Sequence, residues 1–300
     1  MLSEFIKWFN IKDPALQSAL ISGIVALLTL LLGGICKFFY EKYSLSYKMK
    51  KEFYFKQRIE IKSKLSLTKT PLIKSAEELN YRLWNLSNHI ERKWHNLQET
   101  DWNNVDKYYL RSFTYRFISF LYWTIKAEES IYSFDISQAE KEDTLYLKYI
   151  KTLKHFFCES SLLEELGYDP EHNTNHFFKD SIGKFCNYLN QDNKCISFEE
   201  FENKFQLDFK SIKEVVTYLT NIKNEDTSLN YNVIKCFHLF LMLFLNEYGL
   251  DYHHTSKSKL IKLMKGNYSN IKIKRGFYKF LERNKVLDKA KILVNTLELS

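Results

Sequence analysis

"PLIKSAEELNYRLWNLSNHI", residues 71–90, sets apolar side chains at Leu72, Ala76, Leu79, Leu83, Leu86 and Ile90. The spacing alternates between four and three, which returns one stripe to the same side of a helix. This heptad-like pattern predicts a helix over about residues 71–96 that packs on other helices. A residue before proline is pushed out of the helical region, so "TKTP" at 68–71 predicts a break, with Pro71 opening the new helix.

Composition points the same way. The 300 residues include 24 Phe and 20 Tyr but only 8 Gly and 3 Pro, so long helices with large apolar faces are favoured and an all-α class is predicted. Further helices are predicted at 104–134, 140–166, 176–190, 197–206, 209–223 and 233–245. Phe113–Ile125 is apolar on nearly all sides but interrupted by Arg116, as expected of a buried central helix. "VIKCFHLFLMLFL" at 233–245 is too short for a bilayer and reads as a second core helix closed by Gly249. Ser197 and Glu200 have capping-box spacing, and Gly167 ends the 140–166 helix ahead of a soft division near 167–175.

Nearer the start, "ALQSALISGIVALLTLLLGGIC" runs from Ala15 to Cys36 without a charge. At about 1.5 Å per residue it covers roughly 33 Å, against a hydrocarbon core of about 30 Å. Only Gln17, Ser18, Ser22 and Thr29 interrupt it, so a transmembrane helix is predicted. A cleaved leader would have a shorter apolar region, and "LGGIC" places Ile35 where a lipoprotein signal needs a small residue. Lys7 and Lys12 are balanced by Glu4 and Asp13 before the span, whereas Lys37, Lys42, Lys48, Lys50 and Lys51 follow it. The positive-inside rule then places the N-terminus outside and the bulk of the chain in the cytoplasm of a bacterial inner membrane, with those five lysines resting on anionic headgroups.

The expected organisation is a short outer segment at 1–14, the span at 15–36 and a basic juxtamembrane stalk helix at 37–66. A helical bundle core at 67–170 and a C-terminal helical region with a basic surface at 171–300 follow. The net charge of +8 is unevenly spread. Residues 37–64 hold nine Lys/Arg against three Glu, and residues 257–291 hold twelve against two acids, leaving the remainder acidic. Two anion-seeking zones result. The five scattered cysteines suggest no disulfide framework.

Three segments resemble a widespread family of uncharacterised bacterial helical proteins. "TPLIKSAEELNYRLWNL" is similar to that family's PLL-x-AA-x-x-L-x-x-RL-x-N stretch, and "SFTYRFISFLYWTIKAEESIYSFDI" to its ST-x-Y…QY-x-W…RE…FLDL helix. "FFKDSIGKFCNYLNQDNKCISFEEFENKF" is similar to its IG…CI-x-Y-x-x-F segment, although Lys179 and Asp180 replace an Arg/Glu/Gln cluster. The likeness covers roughly 65–210 and implies a bacterial source, a helical class and frequent N-terminal membrane attachment. It implies no activity.

Arg82 and His89 stand seven apart on the striped helix, a spacing similar to the R-x(4–6)-H motif of HEPN-type ribonucleases. There a histidine moves a proton and an arginine stabilises the phosphorane-like transition state, usually across a dimer. With seven arginines and eight histidines, about half a match to so loose a pattern arises by chance, and both residues also flank the apolar seam. They are read chiefly as structural, with a membrane-anchored ribonuclease as the alternative. His172, His176, Cys186 and Cys195 lack the spacing of a metal site, and His238 reads as a core histidine, so no metal or cofactor is expected.

The basic C-terminal region carries the functional expectation. Lys272, Lys274, Arg275, Lys279 and Arg283 would bind an anion, while Phe277 and Tyr278 would stack on a ligand. Expected partners are the lipid bilayer and an anionic lipid, nucleic acid, nucleotide or acidic protein, with homo-oligomerisation as a further expectation. The resulting reading is a non-enzymatic membrane-anchored binding or effector module, set by analogy in anti-phage defence. A membrane-permeabilising oligomer is the remaining alternative.

Overall fold

A computed structural model describes residues 4, 8–11, 13–96, 108–132, 134–135, 137, 139–168, 171 and 175–298. Lys7, Lys12 and His172 lie outside the described residues. The protein is all-α, with a long apolar N-terminal helix. It divides into two compact units, Met1–Ile59 and Glu60–Ser300.

A long helix, α1, runs unbroken over Pro14–His89 and contributes to both units. In the first unit its apolar residues stand uncovered on every side, Leu27 at 63% and Leu30 at 74% exposure among them. Within the apolar stretch two hydroxyls turn back on the helix, Thr29 Oγ1 donating to the Val25 carbonyl at 2.8 Å and Ser18 Oγ to that of Ala15 at 3.0 Å, while Gln17 Nε2 donates to the Phe9 carbonyl at 2.8 Å. Self-satisfied hydroxyls lower the cost of an apolar surrounding.

The expected break at 68–71 is absent: Pro71 lies inside α1. Proline removes the bond to the carbonyl four residues back, but that carbonyl belongs to exposed Leu67, where water can take the place of the lost donor. Leu72, Ala76, Leu79, Leu83, Leu86 and Ile90 are all buried, as their spacing predicts. Packing of that stripe overrides the local proline preference.

The second unit wraps around two buried helices. Helix α2 (Tyr108–Glu129) packs against α3 (Lys141–His155), α4 (Lys179–Leu189), α5 (Phe198–Leu207) and α6 (Lys213–Thr220). Helix α7 (Leu229–Tyr248) lies against α3 and is buried from Asn230 to Leu245. Its most apolar stretch is 89% buried, so it is a core helix by placement as well as by length. The abundant rings meet here. Phe157 lies 4.6 Å from Phe237 and 4.8 Å from Phe117, while Tyr149 stacks on Phe240 at 5.2 Å. Offset and edge-on contacts of this kind add to what buried area contributes.

One core joins both sides of the division expected near 167–175, because Phe177 packs on Phe157 and Phe117. Gly167, at φ +67°, closes the short 3-10 turns that follow α3. Ser197 and Glu200 form the expected capping box at the start of α5. A two-stranded hairpin, β1 (Asn190–Gln191) with β2 (Lys194–Cys195), was not anticipated. Asp192 and Asn193 at its tip both hold positive φ, the conformation that a tight hairpin turn requires.

Three short helices close the chain: α8 (Lys257–Lys265), α9 (Lys274–Arg283) and α10 (Lys291–Glu298). A Cβ on Gly276 of α9 would fall 2.6 Å from the Leu162 carbonyl oxygen, so glycine lets α9 sit directly on the turn at Ser160–Leu162. Gly249 ends α7 in extended conformation, not left-handed. It is needed for close approach, since a Cβ there would lie 2.9 Å from the His253 side chain.

Candidate ligand pocket and the basic C-terminal face

The residues expected to bind an anion gather on α9, but much of that surface is already engaged. Arg275 Nε lies 3.3 Å from Glu165, Lys279 reaches the same carboxylate at 4.0 Å, and Arg283 Nη2 lies 3.5 Å from Glu159 and 2.6 Å from Ser161 Oγ. An acidic turn of this chain thus covers part of the basic face. Phe277, expected to stack on a ligand, is instead 1% exposed and packs on Phe156. The amphipathic period of α9 turns it inward, while Tyr278 stays half-exposed. Lys274, Arg275, Phe277 and Tyr278 line a small cavity of about 360 Å³ with Val294 and Leu297. Lys272 is exposed, and its backbone N–H donates to Asn232 Oδ1 at 2.7 Å.

Arg82 and His89 line different cavities. Arg82 Nη2 donates to Ser112 Oγ at 2.7 Å, and its guanidinium lies 4.3 Å from the Tyr109 ring centre. His89 packs on Trp94 at 5.5 Å, which in turn meets Tyr109 at 5.6 Å. The two side chains are joined through two aromatic rings that brace α1 against the start of α2.

A larger cavity of about 800 Å³ lies between α1 and α8, within the second unit. The α1 wall carries Glu77, Asn80, Tyr81, Trp84, Asn85 and His89, and the facing wall Lys259 and Lys262. Tyr252, His253 and His254 close one end. The helix places 77, 80–81, 84–85 and 88–89 on one face, which is why a single element contributes so many groups. Tyr81 and Tyr252 are 79% and 73% exposed at this cavity.

The floor is a fixed network. Burial takes the His238 pKa down to about 3, so the imidazole is neutral. Its Nε2 donates to Asn80 Oδ1 at 3.0 Å, and its Nδ1 accepts from the Tyr268 hydroxyl at 2.6 Å. Trp84 stands edge-on to the same imidazole at 5.2 Å, and the Lys259 ammonium lies 4.4 Å from the Trp84 ring centre. A cation held over an indole face is attracted by the ring quadrupole. His253 Nδ1 accepts from the Leu250 N–H at 2.8 Å, which turns its Nε2 toward Glu77 Oε2 at 3.2 Å. His253 Nδ1 thus ties its ring to the turn after α7, while its buried Nε2 approaches Glu77 without a hydrogen-bond partner among the described residues. Asn85 Oδ1 is buried and has no hydrogen-bond partner among the described residues.

Sequence reading missed this site, because its groups come from segments about 180 residues apart. Asn267 Nδ2 bonds both the Ser87 carbonyl and Ser87 Oγ, at 3.0 and 2.9 Å. It also passed over Lys235, which is fully buried on α7. That ammonium donates to Asn270 Oδ1 at 2.6 Å and lies 4.2 Å from the Tyr231 ring centre, and burial takes its pKa down to about 8.

Among the described residues no three His, Cys, Asp or Glu side chains converge on a metal position. His176 Nδ1 bonds the Tyr168 hydroxyl at 2.7 Å, and burial pushes the Cys186 and Cys195 thiols up. Comparison with known proteins finds no matching family model, curated protein or solved structure.

Proposed function

We propose that the chain is a non-enzymatic binding module, anchored in a bacterial inner membrane by residues 15–36, with its second unit in the cytoplasm. The single observation that carries this reading is the apolar stretch of α1, whose most apolar part has no buried residue among those described. Lys37, Lys42, Lys48, Lys50 and Lys51 are exposed beyond that stretch. Close to an anionic surface each contributes about 1 kcal/mol, which supports the N-out, C-in orientation.

The module's partner is anionic and is recognised by the basic C-terminal region. Arg275, Lys279 and Arg283 are held in ion pairs on α9, whereas Lys259 and Lys262 of α8 line the large cavity and supply the cations for this partner. The test is capture of the full chain, in detergent, on an anionic matrix. The expected result is salt-sensitive retention that Lys259→Glu with Lys262→Glu lowers more than Arg275→Glu with Lys279→Glu. Equal retention of all variants at every salt concentration contradicts the assignment.

A further inference from the structure

The α1/α8 cavity has the chemistry of a more specific ligand. We propose that it binds a single nucleotide, with phosphate on Lys259 and Lys262 and the base between Tyr81, Tyr252 and the Asn80 and Asn85 amides. This deepens the anionic-partner reading and rests on it.

Size comes first. A volume of about 800 Å³ lies within the usual range of small-molecule sites, roughly 300–1,000 Å³. Charge comes second. The two lysines project from one wall, and Lys259 is held in place over Trp84 instead of ranging through solvent. Glu77 stands on the opposite wall, with Oε2 3.2 Å from His253 Nε2. A strand laid along the cavity would bring further phosphates toward that carboxylate, whereas one nucleotide keeps its phosphate on the lysine side.

Rings and amides supply the other half. A lone exposed tyrosine needs no explanation, but Tyr81 and Tyr252 leave two large π-faces in water at one cavity. The buried network also fixes hydrogen-bonding polarity. Because Asn80 Oδ1 accepts from His238, Asn80 offers its amide NH2 to the cavity as a donor. Asn85 lines the same cavity, with its Oδ1 buried and without a hydrogen-bond partner among the described residues. An amide donor at the cavity wall matches an acceptor on the edge of a nucleobase. An acyl chain would find few apolar side chains, Leu245 and Leu263 among them.

The experiment is isothermal titration of the full chain in nanodiscs with AMP, CMP, GMP and UMP. Adenosine, inorganic phosphate and a hexauridylate strand serve as comparators. At least one monophosphate is expected to bind about tenfold or more tightly than phosphate and adenosine, which corresponds to about 1.4 kcal/mol. Lys259→Gln with Lys262→Gln is expected to weaken it about tenfold, and Tyr252→Ala several-fold, by loss of charge and stacking. Lys257→Gln, on the same helix but away from the cavity, is expected to leave binding unchanged. These residues are exposed, so the variants retain the fold, which thermal melting verifies. Monophosphate binding no tighter than phosphate, unchanged in the lysine variants, or outcompeted about tenfold by the strand overturns the nucleotide assignment. The last result, or phosphate binding alone, leaves the anionic-partner reading standing, while loss of all anion binding removes both.

Discussion

Asn80 of α1 and His238 of α7, 158 residues apart in sequence, meet at 3.0 Å through Oδ1 and Nε2. The contact joins the striped helix to the most buried helix and sets the polarity of the cavity floor. The histidine it engages is fully buried, and that burial keeps it neutral.

That neutrality has a pH signature. The folded His238 pKa is about 3, whereas an unfolded histidine titrates near 6.5. As pH falls below about 6.5 the unfolded chain gains a proton that the folded chain refuses, so stability declines until about pH 3. The slope from this one group is about 1.4 kcal/mol per pH unit. Urea denaturation of His238→Gln between pH 6.5 and 4.5 is expected to show a slope smaller by about one proton. An unchanged slope contradicts the buried, neutral assignment.

Lys235 offers a second pH test. Its folded pKa, about 8, lies below the ordinary lysine value, so between pH 8 and about 10.4 the unfolded chain holds more protons. Stability from this group rises with pH across that window, and at pH 7 the buried ammonium is a net cost. Lys235→Met is expected to gain about 1–3 kcal/mol at pH 7 and to remove the rise between pH 8 and about 9.5. A loss of stability at pH 7 would mean that the bond to Asn270 outweighs desolvation.

The seat of α9 is testable at a single atom. Gly276→Ala places a Cβ against the Leu162 carbonyl, which is backbone and cannot turn aside. Destabilisation of about 1–3 kcal/mol is expected from overpacking, read as a lower denaturation midpoint with an unchanged slope.

Phe277 and Tyr278 should separate cleanly, although both were expected on the ligand side. Phe277→Ala removes a core ring and is expected to cost about 3–5 kcal/mol. Tyr278→Ala, half-exposed, is expected to cost much less. Comparable losses contradict the inward placement of Phe277.

Much of the fold was legible in the residues. The stripe from Leu72 to Ile90 is buried at every position, the Ser197–Glu200 box caps α5, and 233–245 lies inside a core helix. What escaped was non-local. Pro71 signals a break locally, yet burial of Leu72 and Ala76 carries the helix through it. The "DN" at Asp192–Asn193 is a turn signal that was legible but overlooked. Composition announced a basic tail, but not that Glu159 and Glu165 would meet it, nor that Lys259 would face Glu77, Asn80 and Trp84 across a cavity. Such pairings follow from tertiary contacts that no spacing encodes.

Membrane insertion of residues 15–36 is tested most directly by fractionation. Full-length protein is expressed in a bacterial host, the cells are broken without detergent, and the lysate is ultracentrifuged before and after an alkaline carbonate wash. The expected result is chain in the pellet that resists the wash and is released by detergent, because an apolar span of this length leaves the bilayer only at large cost. Recovery of the intact chain in the first supernatant contradicts it.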